Sequence, residues 1–206
     1  MSVVCRDVPG VGIEWVSAEP DFMGRASCAL VAEGDVWLVD PVDFADLDVT
    51  IAALGTPRGV IQLLDRHNRD SAAIAKRLNV PHLVTPREIP GSPFEVVAVP
   101  AMAGWKEVAL WWEATKTLVV AEAVGTPRYY CAPGCSLGVH PVLRIVRPPR
   151  VLLQFAPEHL LLGHGFGLHD GATAALTAAV SRARRELPFV LPRLFAAKRH
   201  RYPLES

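Results

Sequence analysis

Apolar positions in the first half of the chain fall into short runs. Residues 13–16, 28–32 and 36–39 read as strands, with Glu33-Gly34-Asp35 as a turn between the last two. Asp40-Pro41 ends the third run. Over residues 44–54 the apolar positions Phe44, Leu47, Ile51 and Leu54 recur at helical spacing, and Gly55 is a stop. Residues 59–64 are apolar except for Gln62 and predict a buried strand. Ser71–Leu78 predicts a short helix with Asp70 as its N-cap, and residues 80–84 a further strand.

A second set of strands follows at 94–99, Val108–Trp112 and 118–121, expected to be antiparallel. Residues 127–149 read as irregular, because prolines and glycines interrupt every run there. Residues 160–162 are a last strand candidate, and 171–186 the longest helix, with Leu176, Val180 and Ala183 on one face. No internal repeat appears. The two strand sets predict two half-domains, as a β-sandwich flanked by helices requires.

Composition narrows the picture. At 206 residues the whole chain, 1–206, is expected to form one domain, with a proline-containing basic tail from 187 onward. Half of the residues are hydrophobic, enough for a substantial core. Lys plus Arg equals Asp plus Glu at 21 each, so no long-range field draws nucleic acid or an anionic membrane. The first residues lack the apolar stretch of a signal peptide, and no run approaches the roughly 20 residues of a membrane helix. A cytoplasmic protein with four reduced cysteines is expected.

Four segments carry the candidate chemistry. They are Val36-Trp-Leu-Val-Asp-Pro41, Leu64-Asp-Arg-His-Asn-Arg-Asp70, Thr117-Leu-Val-Val-Ala-Glu-Ala-Val-Gly-Thr126 and Leu161-Leu-Gly-His-Gly165. In that order, over residues 27–185, they resemble the skeleton of the metallo-β-lactamase superfamily. The resemblance implies an α/β fold: an αββα four-layer sandwich of two mixed sheets flanked by helices. It also implies a metal site at the strand ends, where a metal-bound hydroxide attacks an ester, thioester, amide or phosphoester.

The resemblance assigns positions one by one. Asp40 matches an Asp that orients a metal ligand. Asp65-Arg-His-Asn-Arg-Asp70 stands where the family has His-x-His-x-Asp-His, so only His67 keeps its histidine. Asp65 and Asp70 take the places of the flanking histidines, and Arg69 that of the Asp. Trp105 stands where a further His is expected, Glu122 where an Asp bridges two metals, and Gly163-His164-Gly165 matches fully. Neither a guanidinium nor an indole has a lone pair to give. Beside a divalent ion at about 4–5 Å, Arg69 would cost several kcal/mol even at an effective dielectric near ~20.

The metal-ligand candidates are therefore Asp65, His67, Asp70, Glu122 and His164, with Asp70, Glu122 and the two histidines expected to converge. They offer nitrogen and oxygen donors for at most one divalent cation, zinc foremost, and otherwise form a metal-free polar network. Arg69 is expected to pair with Glu122 or Asp70, and Asp65 with Arg66. Asp40, Arg69, Trp105, Tyr129, Tyr130, His140 and His169 are the expected pocket residues, with Trp105 as a wall. Two functions follow: a degenerate member that binds a small molecule or partner without hydrolysis, and, as the alternative, a mononuclear hydrolase.

Other constellations are weaker. Cys131 and Cys135 with His140 lack the closer spacing and fourth ligand of a zinc knuckle, so they read as free thiols in a loop. Trp111 and Trp112 are adjacent strand residues and should face opposite sides. Lys198-Arg-His-Arg201 reads as a solvated tail. There is no Gly-x-Ser-x-Gly nucleophile motif.

Overall fold

The structure is a computed structural model that describes residues 3–17 and 23–192. The basic cluster at 198–201 lies outside the described residues. Strands β1 (Val3–Val8), β2 (Gly12–Ser17), β3 (Ala26–Ala32), β4 (Asp35–Val39), β5 (Thr56–Gln62) and β6 (His82–Val84) form one sheet in sequential order. Its first four strands are antiparallel, while β5 and β6 join in parallel. Helices α1 (Leu47–Leu54) and α2 (Ser71–Leu78) supply the crossovers that parallel pairing needs.

The second sheet has the order β12 (His159–Leu162), β9 (Thr117–Val120), β8 (Val108–Trp112), β7 (Glu95–Ala98). It too is mixed: β7, β8 and β9 are antiparallel, as expected, but β12 runs parallel to β9. Between β9 and β12 come a two-stranded ribbon, β10 (Val124–Gly125) with β11 (Gly138–Val139), and α3 (Pro141–Ile145). Helix α4 (Ala172–Arg182) closes the second sheet's outer face.

Side-chain alternation explains the layering. Trp37, Val39, Ile61, Leu110, Trp112, Val119 and Leu161 meet between the sheets. Their neighbours Leu38 and Val60 face α1 and α2, where they pack with Leu47, Ile51 and Ile74. Leu118, Val120, Leu160 and Leu162 face α4, where Leu176 and Val180 cover them. The three cores separate four layers, the αββα sandwich. Trp111 lies in the outer core and Trp112 in the central one, so the adjacent tryptophans do split across the sheet.

Several boundaries differ from the sequence reading. β1, absent from the sequence reading, holds only Val3-Val4-Cys5 before Arg6 and Asp7 and is an edge strand exposed over most of its length. Helix α1 begins at Leu47, and Phe44 instead packs edge-on against Trp15 at 5.8 Å. α4 ends at Arg182, short of Glu186. The irregular stretch holds β11 and α3, where Pro141 occupies the first turn of the helix and so lacks no needed donor. Among the described residues no helix is long and apolar enough to cross a membrane.

Candidate metal centre

The centre lies where strands of both sheets end. Asp40 follows β4 in the left-handed region, φ 43°. Its Oδ1 accepts from the Leu63 amide at 2.9 Å and its Oδ2 lies 3.0 Å from His67 Nδ1. Gln62, the polar exception in its strand, donates to the carbonyls of Leu64 and Asp65 at 2.9 and 3.2 Å and so shapes the loop that presents His67. Glu122 follows β9 and His164 follows β12, so the parallel pairing of these two strands brings their ends side by side.

Glu122 is the hub. Its Oε2 lies 2.7 Å from His67 Nε2 and 3.0 Å from His164 Nε2, and its Oε1 3.4 Å from His140 Nε2. A carboxylate only accepts, so an imidazole with a carboxylate oxygen at each nitrogen is satisfied when both nitrogens carry protons. His67 has that arrangement. Burial opposes its charge, but Asp40 and Glu122 raise its pKa above the ordinary value. Burial alone would raise Glu122, yet the hydrogen bonds with His164 and His67 hold it well below the usual carboxylate range. Burial lowers His164, which leaves it neutral, donating from Nε2 and with a buried Nδ1 that has no partner.

His140 was expected only as a pocket wall, and the structure sets it against Glu122. It caps α3: its Nδ1 accepts from the Val142 amide at 3.3 Å, which assigns the proton to Nε2, the atom facing Glu122. Burial pushes its pKa down to about 4, with Glu122 opposing and His164 and Arg66 assisting. Tyr129, Tyr130 and Trp105 pack against its ring at 5.2–5.8 Å. The unfolded histidine titrates near ~6.5, so stability is present above that pH and is lost as pH falls towards the folded value. With the fall to about 4, this group alone should remove about 3 kcal/mol, and His164 adds in the same direction. His140→Asn keeps a capping acceptor but does not titrate. Its stability, measured by urea unfolding from pH 7 to 4, should fall less steeply than that of the wild type, and an unchanged slope would refute the assignment.

Arg69 differs from expectation. It pairs with neither Glu122 nor Asp70. Its guanidinium donates to the carbonyls of Ala26, Asp40 (2.7 Å) and Gly163 (2.6 Å). These lie at the ends of β3, β4 and β12; the Gly163 carbonyl also accepts from the Ala26 amide at 3.0 Å and the Asp40 carbonyl from Ser27 Oγ at 2.9 Å, and the side chain adds a further tie between the two sheets. Its charge still acts on the centre: Asp40 and Glu122 oppose the lowering of its pKa by burial, and it disfavours the charged forms of His67 and His164.

Asp65 and Asp70 do not join the group. Asp65 pairs with Arg66 at 3.2 Å on the exposed side, as the sequence suggested. Asp70 is the N-cap residue of α2 but makes no side-chain cap bond; its Oδ2 accepts instead from the Asp43 amide at 2.9 Å. His169 is not at the base of this pocket either: it bonds His159 and Glu14. Tyr130 is fully buried, and burial together with Glu122 raises its pKa and keeps it a phenol. Tyr129 and Trp105 are half-buried. Trp105 is both wall and filler: it packs against two cores, lies under Arg66 and donates to Glu107 Oε2 at 2.8 Å.

Glu107 escaped the sequence reading. It is buried, and its Oε1 accepts from the amides of Glu122 and Ala123 at 2.8 and 3.0 Å. It fixes the turn that carries Glu122 and hangs Trp105 from the same carboxylate. Cys131 and Cys135 are not in disulfides; Cys131 Sγ donates to the Thr126 carbonyl at 3.3 Å and Cys135 Sγ to Glu186 Oε1 at 3.6 Å.

Among the described residues, one group of three potential ligands is close enough to share an ion: donor atoms of His67, Glu122 and His164 all lie within 4.8 Å of one another. Two imidazoles and a carboxylate are a donor set that zinc accepts in catalytic sites. These three residues are the ones that could hold an ion.

No family model matches the sequence, and no curated protein does. Solved structures do. A metallo-β-lactamase from Pontibacter korlensis matches with a TM-score of 0.64 and 10% identity, covering 91% of this chain and 99% of that one. The DIM-1 metallo-β-lactamase matches with a TM-score of 0.61 and 12% identity over 89% of this chain and 98% of that one. TMB-1 matches with a TM-score of 0.61 and 8% identity over 89% and 99%. At such identities the likeness concerns the backbone fold alone, and it agrees with the layered sandwich described above. The chain has the metallo-β-lactamase fold.

Proposed function

We propose that this protein binds a small molecule at the Glu122 centre and does not carry out two-metal hydrolysis. The observation that carries this reading is the Arg69 guanidinium. It is bonded to three strand-end carbonyls, and it puts a fixed positive charge on the side of the centre that a second ion would need. His67, set between Asp40 and Glu122, supplies a second positive charge against these two carboxylates. The face of the centre beyond Glu122 is framed by half-buried Trp105 and Tyr129 and by the Nε2–H of His140, an aromatic surround with a few convergent polar groups.

A second reading rests on the convergence of His67, Glu122 and His164: a hydrolase with one metal. Bound there, the ion would supply Lewis acidity and a water of lowered pKa. Asp40 would then orient His67, and His140 would offer a proton donor beside the centre. Ester, thioester, lactam and phosphodiester probes distinguish the readings. The first expects rates equal to those of His164→Ala and no effect of chelator or added zinc. Zinc-dependent turnover abolished by His164→Ala would establish the second.

A further inference from the structure

We propose that His159 and His169 form a second divalent-metal site, one for a transition metal that favours nitrogen, at the end of β12 opposite the Glu122 centre. The loop after His164 folds back along β12, with Leu160 and Leu168 exchanging both backbone hydrogen bonds at 2.8 and 2.9 Å. That antiparallel register places His159 directly opposite His169. Their Nδ1 atoms are 3.1 Å apart. Two nitrogens that share one ion at about 2.0–2.1 Å, with an angle between roughly 90° and 110°, stand ~2.9–3.4 Å apart.

The pair is built rather than incidental. Glu14, on β2, is 2% exposed, and its Oε1 lies 3.1 Å from His169 Nε2. Its other oxygen accepts from the Gly167 amide at 2.8 Å. A Cβ at Gly167 would come within 2.5 Å of the Leu160 carbonyl and 3.1 Å of Glu14 Oε2, so only glycine lets the loop lie this close. A carboxylate accepts only, so His169 donates from Nε2 and its lone pair is at Nδ1, facing His159. Carboxylate, histidine and metal in series is a recurring way to fix a ligating ring. Burial keeps His159 below its ordinary pKa, hence neutral.

Without metal, His159 donates from Nδ1 to His169 Nδ1. Binding moves that proton, through water, to His159 Nε2 and frees the second lone pair, with no net proton release. The His169 side chain is 31% exposed, so solvent reaches the pair and completes the ion's coordination. Nothing in this site depends on the Glu122 centre.

Nickel(II) is the suitable probe, since it favours imidazole and does not oxidise the cysteines. Calorimetric titration of the full chain should find one nickel site that His159→Ala or His169→Ala weakens at least tenfold and that persists in His164→Ala. Paramagnetic broadening should strike the ring signals of His159 and His169. Melting temperature checks that each variant is folded, and His159, partly exposed at a strand end, tolerates replacement. Wild-type protein that binds no nickel, or nickel binding unchanged in folded His159→Ala, or lost only in His164→Ala, would overturn the proposal.

Discussion

Arg144→Ala should lower stability by about 3–5 kcal/mol, because it strips one partner from a buried ion pair. The Arg144 side chain is 0% exposed. Its Nη1 meets Glu186 Oε2 at 2.9 Å and the Ala183 carbonyl at 3.0 Å. Its Nε and Nη2 donate to the carbonyls of Val139 (2.9 Å) and Tyr130 (2.6 Å). One guanidinium thus holds α3, the segment after α4, the Tyr130 turn and the strand that delivers His140. A Cβ at Gly138 would meet the Tyr130 carbonyl at 2.0 Å, which shows how closely these segments pass. The melting temperature should drop by on the order of 10 °C for a chain of this size. Urea unfolding at neutral pH measures the loss, and a change below about 1 kcal/mol would show that the ion pair is dispensable.

Arg69→Ala should be nearly as costly, at about 3–5 kcal/mol, since it removes three charge-assisted hydrogen bonds to strand-end carbonyls and leaves the Asp40–Glu122 centre short of one buried positive charge. It should also change the response to metal. Removing a cation beside His67 and His164 lowers the repulsion of a divalent ion. Added zinc should therefore raise the melting temperature of Arg69→Ala more than that of the wild type, through binding to the folded state. If the variant melts like the wild type in chelator, Arg69 does not tie the sheets together. If zinc raises both equally, its charge does not govern metal affinity.

Much of the fold was legible because burial imposes period and punctuation. The runs at 28–32, 36–39 and Val108–Trp112 needed only alternation and turn residues to be placed, and the split of Trp111 from Trp112 followed from strand geometry. β1 left no such mark, since an edge strand in solvent needs no apolar face. Within the centre, His67, Glu122 and His164 could be placed because each follows a strand in a recognisable order. The partners of Arg69 could not: they are backbone carbonyls, and any residue supplies one. Glu14 lies 155 positions from His169, and Glu107 15 from Glu122, separations that no local pattern encodes. Asp65 and Asp70 misled for the opposite reason, since a carboxylate at a motif position satisfies a surface arginine or a loop amide as readily as a metal.

Zinc bound per chain is the most direct test of whether protein charge has replaced a two-metal centre. The measurement is elemental analysis after dialysis against micromolar zinc and desalting, made on His159→Ala so that the peripheral histidine pair does not contribute. The account predicts no more than one zinc per chain, removed by Glu122→Ala. Two tightly held ions per chain, as a dinuclear site needs, would contradict it.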